Sequence, residues 1–337
     1  MNDYAIVYFK GIERGFSVPS VLAEFNLPFF GEVSIKWYGA IIAFGFLLAV
    51  LFGGRQAYKW KMSIDKMLDV LIYGTLGGIL GARLYYVAFE WDYYSKNLHE
   101  VFQIWNGGLA IYGGIIGGIL AAYITCKFNK LNFYNLLDLA GMSLLIGQGI
   151  GRWGNFMNQE AFGTNTDLPW GMRSEKTAEY ILFNIETFKE KGITMDATGY
   201  VHPTFLYESL WCLIGFAILY LIMRKFRKFS GQVFLCYGIW YGIGRTIFEG
   251  LRTDSLYIGD TTIKVSQALS AAVVVVFSVL LVTLLVKFIK NPKPIEGVDF
   301  FPANSKKAEE SVDEAEETEE KTATEETVET EKEKSEE

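Results

Sequence analysis

Histidine and cysteine are scarce in this chain: its 337 residues hold two of the first and three of the second. Cys126, Cys212 and Cys236 all fall in or beside apolar runs, and no CxxC or other metal-ligand spacing joins them to His99 or His202. That pattern argues against a disulfide scaffold and a structural zinc site, and no metal or other cofactor is expected. The opening residues, MNDYAIVYFKGIERG, lack a basic region followed by an apolar run, so no cleavable signal peptide is expected. No nucleic-acid partner is expected either.

Charge is missing in particular places. Several stretches of roughly 18–24 residues are almost free of it, the length needed to cross a hydrocarbon core ~30 Å thick. Most of them lack the polar stripe, at a period of about 3.6 residues, that a soluble amphipathic helix carries. The net charge of −7 belongs to the C-terminal end, where residues 304–337 hold 15 acidic and 5 basic side chains. Without them the rest of the chain is slightly basic. That end is rich in Glu, Lys, Thr and Ser and has no aromatic residue, a composition that cannot bury enough surface to fold.

The apolar runs predict an all-α integral membrane protein, a bundle of about seven transmembrane helices. The spans fall near 34–54, 67–89, 107–126, 132–150, 204–223, 232–250 and 265–288. Basic residues cluster after spans one, three, five and seven: Arg55, Lys59, Lys61 and Lys66; Lys127 and Lys130; Arg224, Lys225, Arg227 and Lys228; Lys287, Lys290 and Lys293. The short loops opposite are poorer, with Lys96 in one and Arg252 and Lys264 in another. The excess of Lys and Arg on one side puts the N-terminus outside and the C-terminus in the cytoplasm. The expected organisation is an extracytoplasmic segment 1–33, a membrane domain 34–290 with an extracytoplasmic region 151–203 between spans four and five, and a cytoplasmic tail 291–337, disordered from about 304.

Spans two and three carry overlapping GxxxG pairs: Gly74/Gly78 with Gly77/Gly81, and Gly113/Gly117 with Gly114/Gly118. Glycine at that spacing lets helix backbones approach closely in lipid, which reads first as packing. Span seven has no charge from Val265 to Val286 and is assigned no chemistry.

The ionisable residues inside the spans share one depth, and such residues are costly enough in lipid to mark function. Arg152 ends span four, with Gln148 one turn earlier. Tyr241, Arg245, Glu249 and Arg252 follow i, i+4, i+8, i+11 spacing on the outer half of span six. His202 and Glu208 lie at the outer start of span five, Tyr38 and Tyr112 begin spans one and three, and Arg83 lies in the outer part of span two. Each has a structural alternative taken singly: Arg245 and Glu249 can pair within their helix, and the tyrosines can belong to an aromatic belt. Together, several arginines at one depth point to an anionic ligand such as a phosphate, which guanidinium forks bind two oxygens at a time.

The stretch 151–163, GRWGNFMNQEAFG, resembles the signature of the prolipoprotein diacylglyceryl transferase family. IKWYG at 35–39, WNGGLAIYGG at 105–114, HPTFLYES at 202–209 and YGIGRTIFEGLR at 241–252 follow in the family's order. The resemblance runs from about residue 34 to 290. It implies an enzyme of the bacterial plasma membrane that moves the diacylglyceryl group of phosphatidylglycerol onto the lipobox cysteine of a prolipoprotein signal peptide, releasing glycerol-1-phosphate. It implies catalytic roles for Tyr38, Tyr112, Asn155, Glu160, Gly163, His202 and Glu249. Arg152, Arg245, Arg252, Glu208 and Tyr241 would bind substrate. Many members have histidine where this chain has Tyr112, and that histidine has been proposed as the base. A phenol, with a pKa of about 10, is a poor base at pH 7. The base therefore stays open among Glu160, Glu249 and His202.

Two other readings compete. A transporter would use Asp69 and Asp138 nearer the cytoplasmic side as parts of an ion path, and a lipid-binding scaffold would use the acidic tail. No repeated halves or paired broken helices support transport.

Overall fold

The structure, a computed structural model, describes residues 4–27, 31–253, 255, 257, 261 and 263–292. Lys293, the acidic segment and most of the expected tail 291–337 lie outside the described residues.

The chain is mostly helical, but it is not all-α. It begins with strands β1 (Tyr4–Phe9), β2 (Ile12–Pro19), β3 (Val21–Leu27) and β4 (Gly31–Lys36). Helices α1 (Trp37–Lys59), α2 (Ile64–Phe89), the single turn α3 (Trp91–Tyr94), α4 (Ile111–Phe128) and α5 (Phe133–Asn158) follow. Then come β5 (Met172–Ser174), α6 (Glu175–Phe183), α7 (Ile185–Glu190), α8 (Thr204–Leu221), α9 (Gln232–Leu251) and α10 (Val265–Lys290). The strands break the all-α expectation; β1 is apolar on both faces and gives a hydropathy reading no clean alternation. Only Ala5 and Val7 of that strand are buried.

Each of the seven expected stretches overlaps one long helix, although those begun at 34 and 107 start three and four residues before α1 and α4. Five of these regions, 37–59, 64–89, 111–128, 204–226 and 265–290, are long and apolar enough to cross a membrane, which marks a membrane protein. Helix α5 runs eight residues past the expected end of its span. At ~1.5 Å per residue it is ~39 Å long, more than a hydrocarbon core needs. Asn132 caps its start by accepting from the amides of Tyr134 and Asn135, and Gln159 ends it in the left-handed conformation, φ 57°. The signature GRWGNFMN is therefore the last two turns of a helix rather than the start of a loop.

Helix α5 is the spine, packed against α1, α8 and α9, while α4 packs along α2 and α10 along α9. A methyl group built on Gly81 would overlap the carbonyl oxygen of Gly113, and one on Gly117 that of Gly77. The two GxxxG stripes thus face each other in one backbone-to-backbone seam. Trp211 of α8 and Trp240 of α9 stack with centroids 4.2 Å apart, and each indole N–H donates to the other's carbonyl at 3.1 Å.

Two cores result. One, inside the bundle, gathers Trp60, Leu139, Met142, Leu145, Leu219 and Val233. The other joins segments far apart in sequence: Val7 and Val18 pack with Phe162, Met172, Ile181, Val201 and Phe205. A three-stranded sheet of order β2-β1-β5 holds it, with Val7 opposite Ser174. This second core seats the turn after α5 and the entry to α8. The two aspartates of the transport reading have structural partners. Asp69 accepts from Asn129 at 3.1 Å, and buried Asp138 accepts from Arg227 at 2.8 Å and from the amides of Gly231 and Phe234.

Candidate active site

The last turns of α5 place Arg152 and Asn155 on the face turned toward α8. Arg152 Nη2 lies 2.6 Å from Glu208 Oε2 of α8, and its Nη1 donates to Asn155 Oδ1 at 3.4 Å. Asn155 in turn donates to Glu160 Oε1 at 2.8 Å. Arg252, just past α9, has Nη1 3.9 Å from Glu208 Oε1. That Oε1 is buried and accepts no hydrogen bond. Three elements thus meet at one carboxylate flanked by two guanidinium groups.

The chain between α5 and α8 is folded back to close this group. Gln159 and Ala161 both take the left-handed conformation, and the hydroxyl of Thr204 donates to the carbonyl of Ala161. Gly163 donates its amide to His202 O at 3.0 Å, and Thr164 donates to Leu251 O at 3.0 Å. A Cβ on Gly163 would sit 2.8 Å from His202 Cβ and 3.1 Å from Leu251 O. Glycine is there because two backbones approach at that point. The His202 ring shares a 3.1 Å hydrogen bond through Nδ1 with the Tyr207 hydroxyl, which also accepts from Trp170 at 2.7 Å. Burial lowers the pKa of His202 below its ordinary value, keeping the ring neutral at pH 7.

On α9, Arg245 Nη2 lies 2.8 Å from Glu249 Oε2, a carboxylate only 3% exposed. The same oxygen makes no hydrogen bond, so this is an ion pair off hydrogen-bond geometry. One turn below, Tyr241 stacks on Tyr237, whose hydroxyl accepts from Gln148 of α5 at 2.9 Å.

Beside Arg152 opens a cavity of about 710 Å³. Its polar end is Tyr38, Arg152 and Asn155; its wall descends through Ile42, Phe46 and Val50 of α1, Leu71 and Gly74 of α2, and Leu144 and Leu136 of α5. From Asn155 to Leu136 the wall covers 19 residues of helix, or ~28 Å. A polar mouth above a long apolar trough matches an amphiphile with an anionic head.

Not every candidate joins the group. Arg83 donates to the carbonyls of Val101, Gly107, Gly108 and Glu100 at 2.5–2.9 Å, which makes it the clamp of the 98–108 segment. Tyr112 begins α4, is 39% exposed, and has no hydrogen bond to the Arg152 group. Tyr38 reaches the cavity mouth by laying its ring over Gly154.

The family model described as prolipoprotein diacylglyceryl transferase matches residues 26–283. A Listeria monocytogenes protein named phosphatidylglycerol–prolipoprotein diacylglyceryl transferase is 46% identical over 245 residues, covering 73% of this chain and 84% of that protein. Proteins of the same name from Finegoldia magna and Streptococcus equi are 44% and 40% identical over 243 and 272 residues, covering 72% and 80% of this chain and 88% and 96% of theirs.

The chain belongs to the prolipoprotein diacylglyceryl transferase family.

The family match takes in every residue of the Arg152, Arg245 and His202 groups, whereas β1 and β2 precede it. Reading the sequence missed Lys264. This lysine is buried, and its ammonium donates to the carbonyls of Glu249 and Arg252 at 2.6 and 2.8 Å, capping the end of α9. Its sequence position, just before α10 and well past the end of α9, carries no local signal of that cap. Tyr207, inside the HPTFLYES stretch, was missed as the partner of His202, because their contact depends on the bend at Pro203.

Proposed function

We propose that this chain transfers the diacylglyceryl group of phosphatidylglycerol to the thiol of a lipobox cysteine in a prolipoprotein signal peptide. The observation that carries the reading is Arg152, ion-paired with Glu208, at the polar mouth of a long apolar cavity. The phosphate binds at Arg152 and Arg245, with Arg252 beside Glu208 as a third cation, and an acyl chain lies in the trough along α5. Buried Glu208 Oε1, without a hydrogen bond of its own, can accept one from a headgroup hydroxyl.

The thiolate sulfur attacks the phosphate-bearing carbon of the diacylglycerol unit, not that of the headgroup glycerol. A carbon–sulfur bond forms, the carbon–oxygen bond breaks with its electron pair on the phosphate oxygen, and glycerol-1-phosphate leaves. Arg152 and Arg245 compensate the charge that grows there, a preorganised role worth ~2.7–4 kcal/mol per donor in a water-poor site. The thiol must lose its proton first, since an ordinary cysteine pKa is about 8.5. Neutral His202 can take it, as can Glu160 or Glu249; Asn155 orients Glu160, and Tyr38 and Tyr241 line the substrate's approach. Tyr112 has a positioning role at most.

We place the enzyme in the bacterial plasma membrane with seven crossings, the N-terminus outside and the C-terminus in the cytoplasm. The basic residues that follow α1, α4, α8 and α10 support that direction.

The test is purified protein in detergent with phosphatidylglycerol and a synthetic lipobox peptide, read by mass spectrometry. A diacylglyceryl mass gain that requires the peptide cysteine and disappears in Arg152→Ala is expected. Folded protein that binds the lipid without transferring it would overturn the reading in favour of lipid binding or transport.

A further inference from the structure

Strands β3 and β4 form a two-stranded ribbon separate from the sheet of the second core. Past an irregularity near Val21, the register sets Ala23 opposite Ile35, Glu24 opposite Ser34, Phe25 opposite Val33 and Asn26 opposite Glu32. Side chains alternate along a strand, so one face carries Ala23, Phe25, Val33 and Ile35 and the other Glu24, Asn26, Glu32 and Ser34. The apolar face is largely uncovered: Phe25 is 51%, Ile35 43% and Val33 38% exposed. In water an isolated two-stranded ribbon is marginally stable, and contiguous exposed apolar surface marks an interaction site.

The occupant follows from where the ribbon is tied. Lys36 ends β4 and is the N-cap residue of α1, and the Trp37 amide donates to Ser20 O at 3.1 Å. Helix α1 is long and apolar enough to cross a membrane, and Tyr38 in its first turn lines the cavity mouth. The ribbon therefore leaves the bundle at the level where a membrane-crossing helix meets the headgroups. In sequence its connection reads Leu27-Pro28-Phe29-Phe30, without charge.

We propose that the apolar face of this ribbon seats on the lipid surface, at the boundary of headgroups and acyl chains, beside the mouth of the cavity. The carboxylates of Glu24 and Glu32 then face water, away from anionic lipid. Ala23 and Phe25 of the apolar face precede the family match at residue 26, whereas Val33 and Ile35 lie within it.

The test places the photocrosslinker p-benzoylphenylalanine at Phe25 or Val33 on one face, or at Glu24 or Ser34 on the other. The full chain is reconstituted in vesicles of phosphatidylglycerol and phosphatidylethanolamine, irradiated and read by mass spectrometry. The same group at Phe44 of α1 reports that the chain is inserted. Lipid adducts from positions 25 and 33 well above those from 24 and 34 are expected. Equal adducts from both faces, crosslinks between two copies of the chain, or adducts from position 44 with none from 25 or 33 would each overturn the proposal.

Discussion

Glu208 of α8 meets Arg152 of α5 at 2.6 Å, an ion pair joining two helices. Its other oxygen faces Arg252 at 3.9 Å. One carboxylate thus holds two cations side by side where like charges would otherwise repel.

Removing Arg152 or Arg245, the two cations proposed to meet the phosphate, should stop the chemistry and leave insertion intact. Arg152→Ala and Arg245→Ala are each expected to lower transfer by about 100-fold or more, the scale for losing a preorganised donor. Peptide mass spectrometry reads the loss, and membrane extraction with size-exclusion chromatography shows the chain still inserted and folded. Wild-type rates in either variant would remove that arginine from the mechanism.

Glu208→Gln keeps the volume and removes the charge that holds Arg152. The expected cost is about 2 kcal/mol, the scale of hydrogen bonds to charged groups, seen as a lower melting temperature in detergent. Transfer should fall with it, since the arginine is no longer held. An unchanged melting temperature would mean that Glu208 serves substrate alone.

Acidification should weaken both activity and stability through His202. Burial puts its folded pKa below the unfolded value of about 6.5. Between the two values the unfolded chain binds more protons, so the histidine's contribution is complete above pH ~6.5 and is lost as pH falls through the folded pKa. If His202 takes the thiol proton, the acid limb of the rate profile vanishes in His202→Gln along with most of the rate. A retained acid limb in that variant assigns the base to Glu160 or Glu249.

Gly163→Ala should lower stability by about 1–3 kcal/mol, the usual scale of overpacking, because its Cβ meets His202 and the Leu251 carbonyl. Ala161→Gly should act oppositely. Relief of a left-handed residue, ~1–2 kcal/mol, exceeds the entropy glycine adds, ~0.5–1 kcal/mol. Thermal melts of the two variants moving in the same direction would contradict this account of the turn.

Long apolar runs and short-range periodicity are the features a single sequence carries most plainly. The seven apolar stretches, the two GxxxG stripes and the outer-end polar residues of α5, α8 and α9 were all legible, because each depends on spacing along one helix. The same spacing hid β1, whose two faces are both apolar, and it ended α5 too early, since hydropathy falls where Arg152, Asn155 and Gln159 begin while the helix goes on.

The sequence by itself determined a membrane protein of mostly helical build, its family signature and the set of charged residues that lie near one depth. Tertiary structure decided how that set divides. Arg83 has its guanidinium taken up by backbone carbonyls, Arg152 and Arg252 share Glu208, Arg245 pairs within its helix, and Lys264 caps α9. It also brought residues 4–19 onto residues 162–201 to form the core behind Gly163 and His202. The physical reason is that depth in a membrane follows from position along one helix, whereas an ion pair needs two helices at a set rotation and separation. That rotation comes from packing, here the α5–α8–α9 contacts and the folded turn after α5, and no local pattern encodes it.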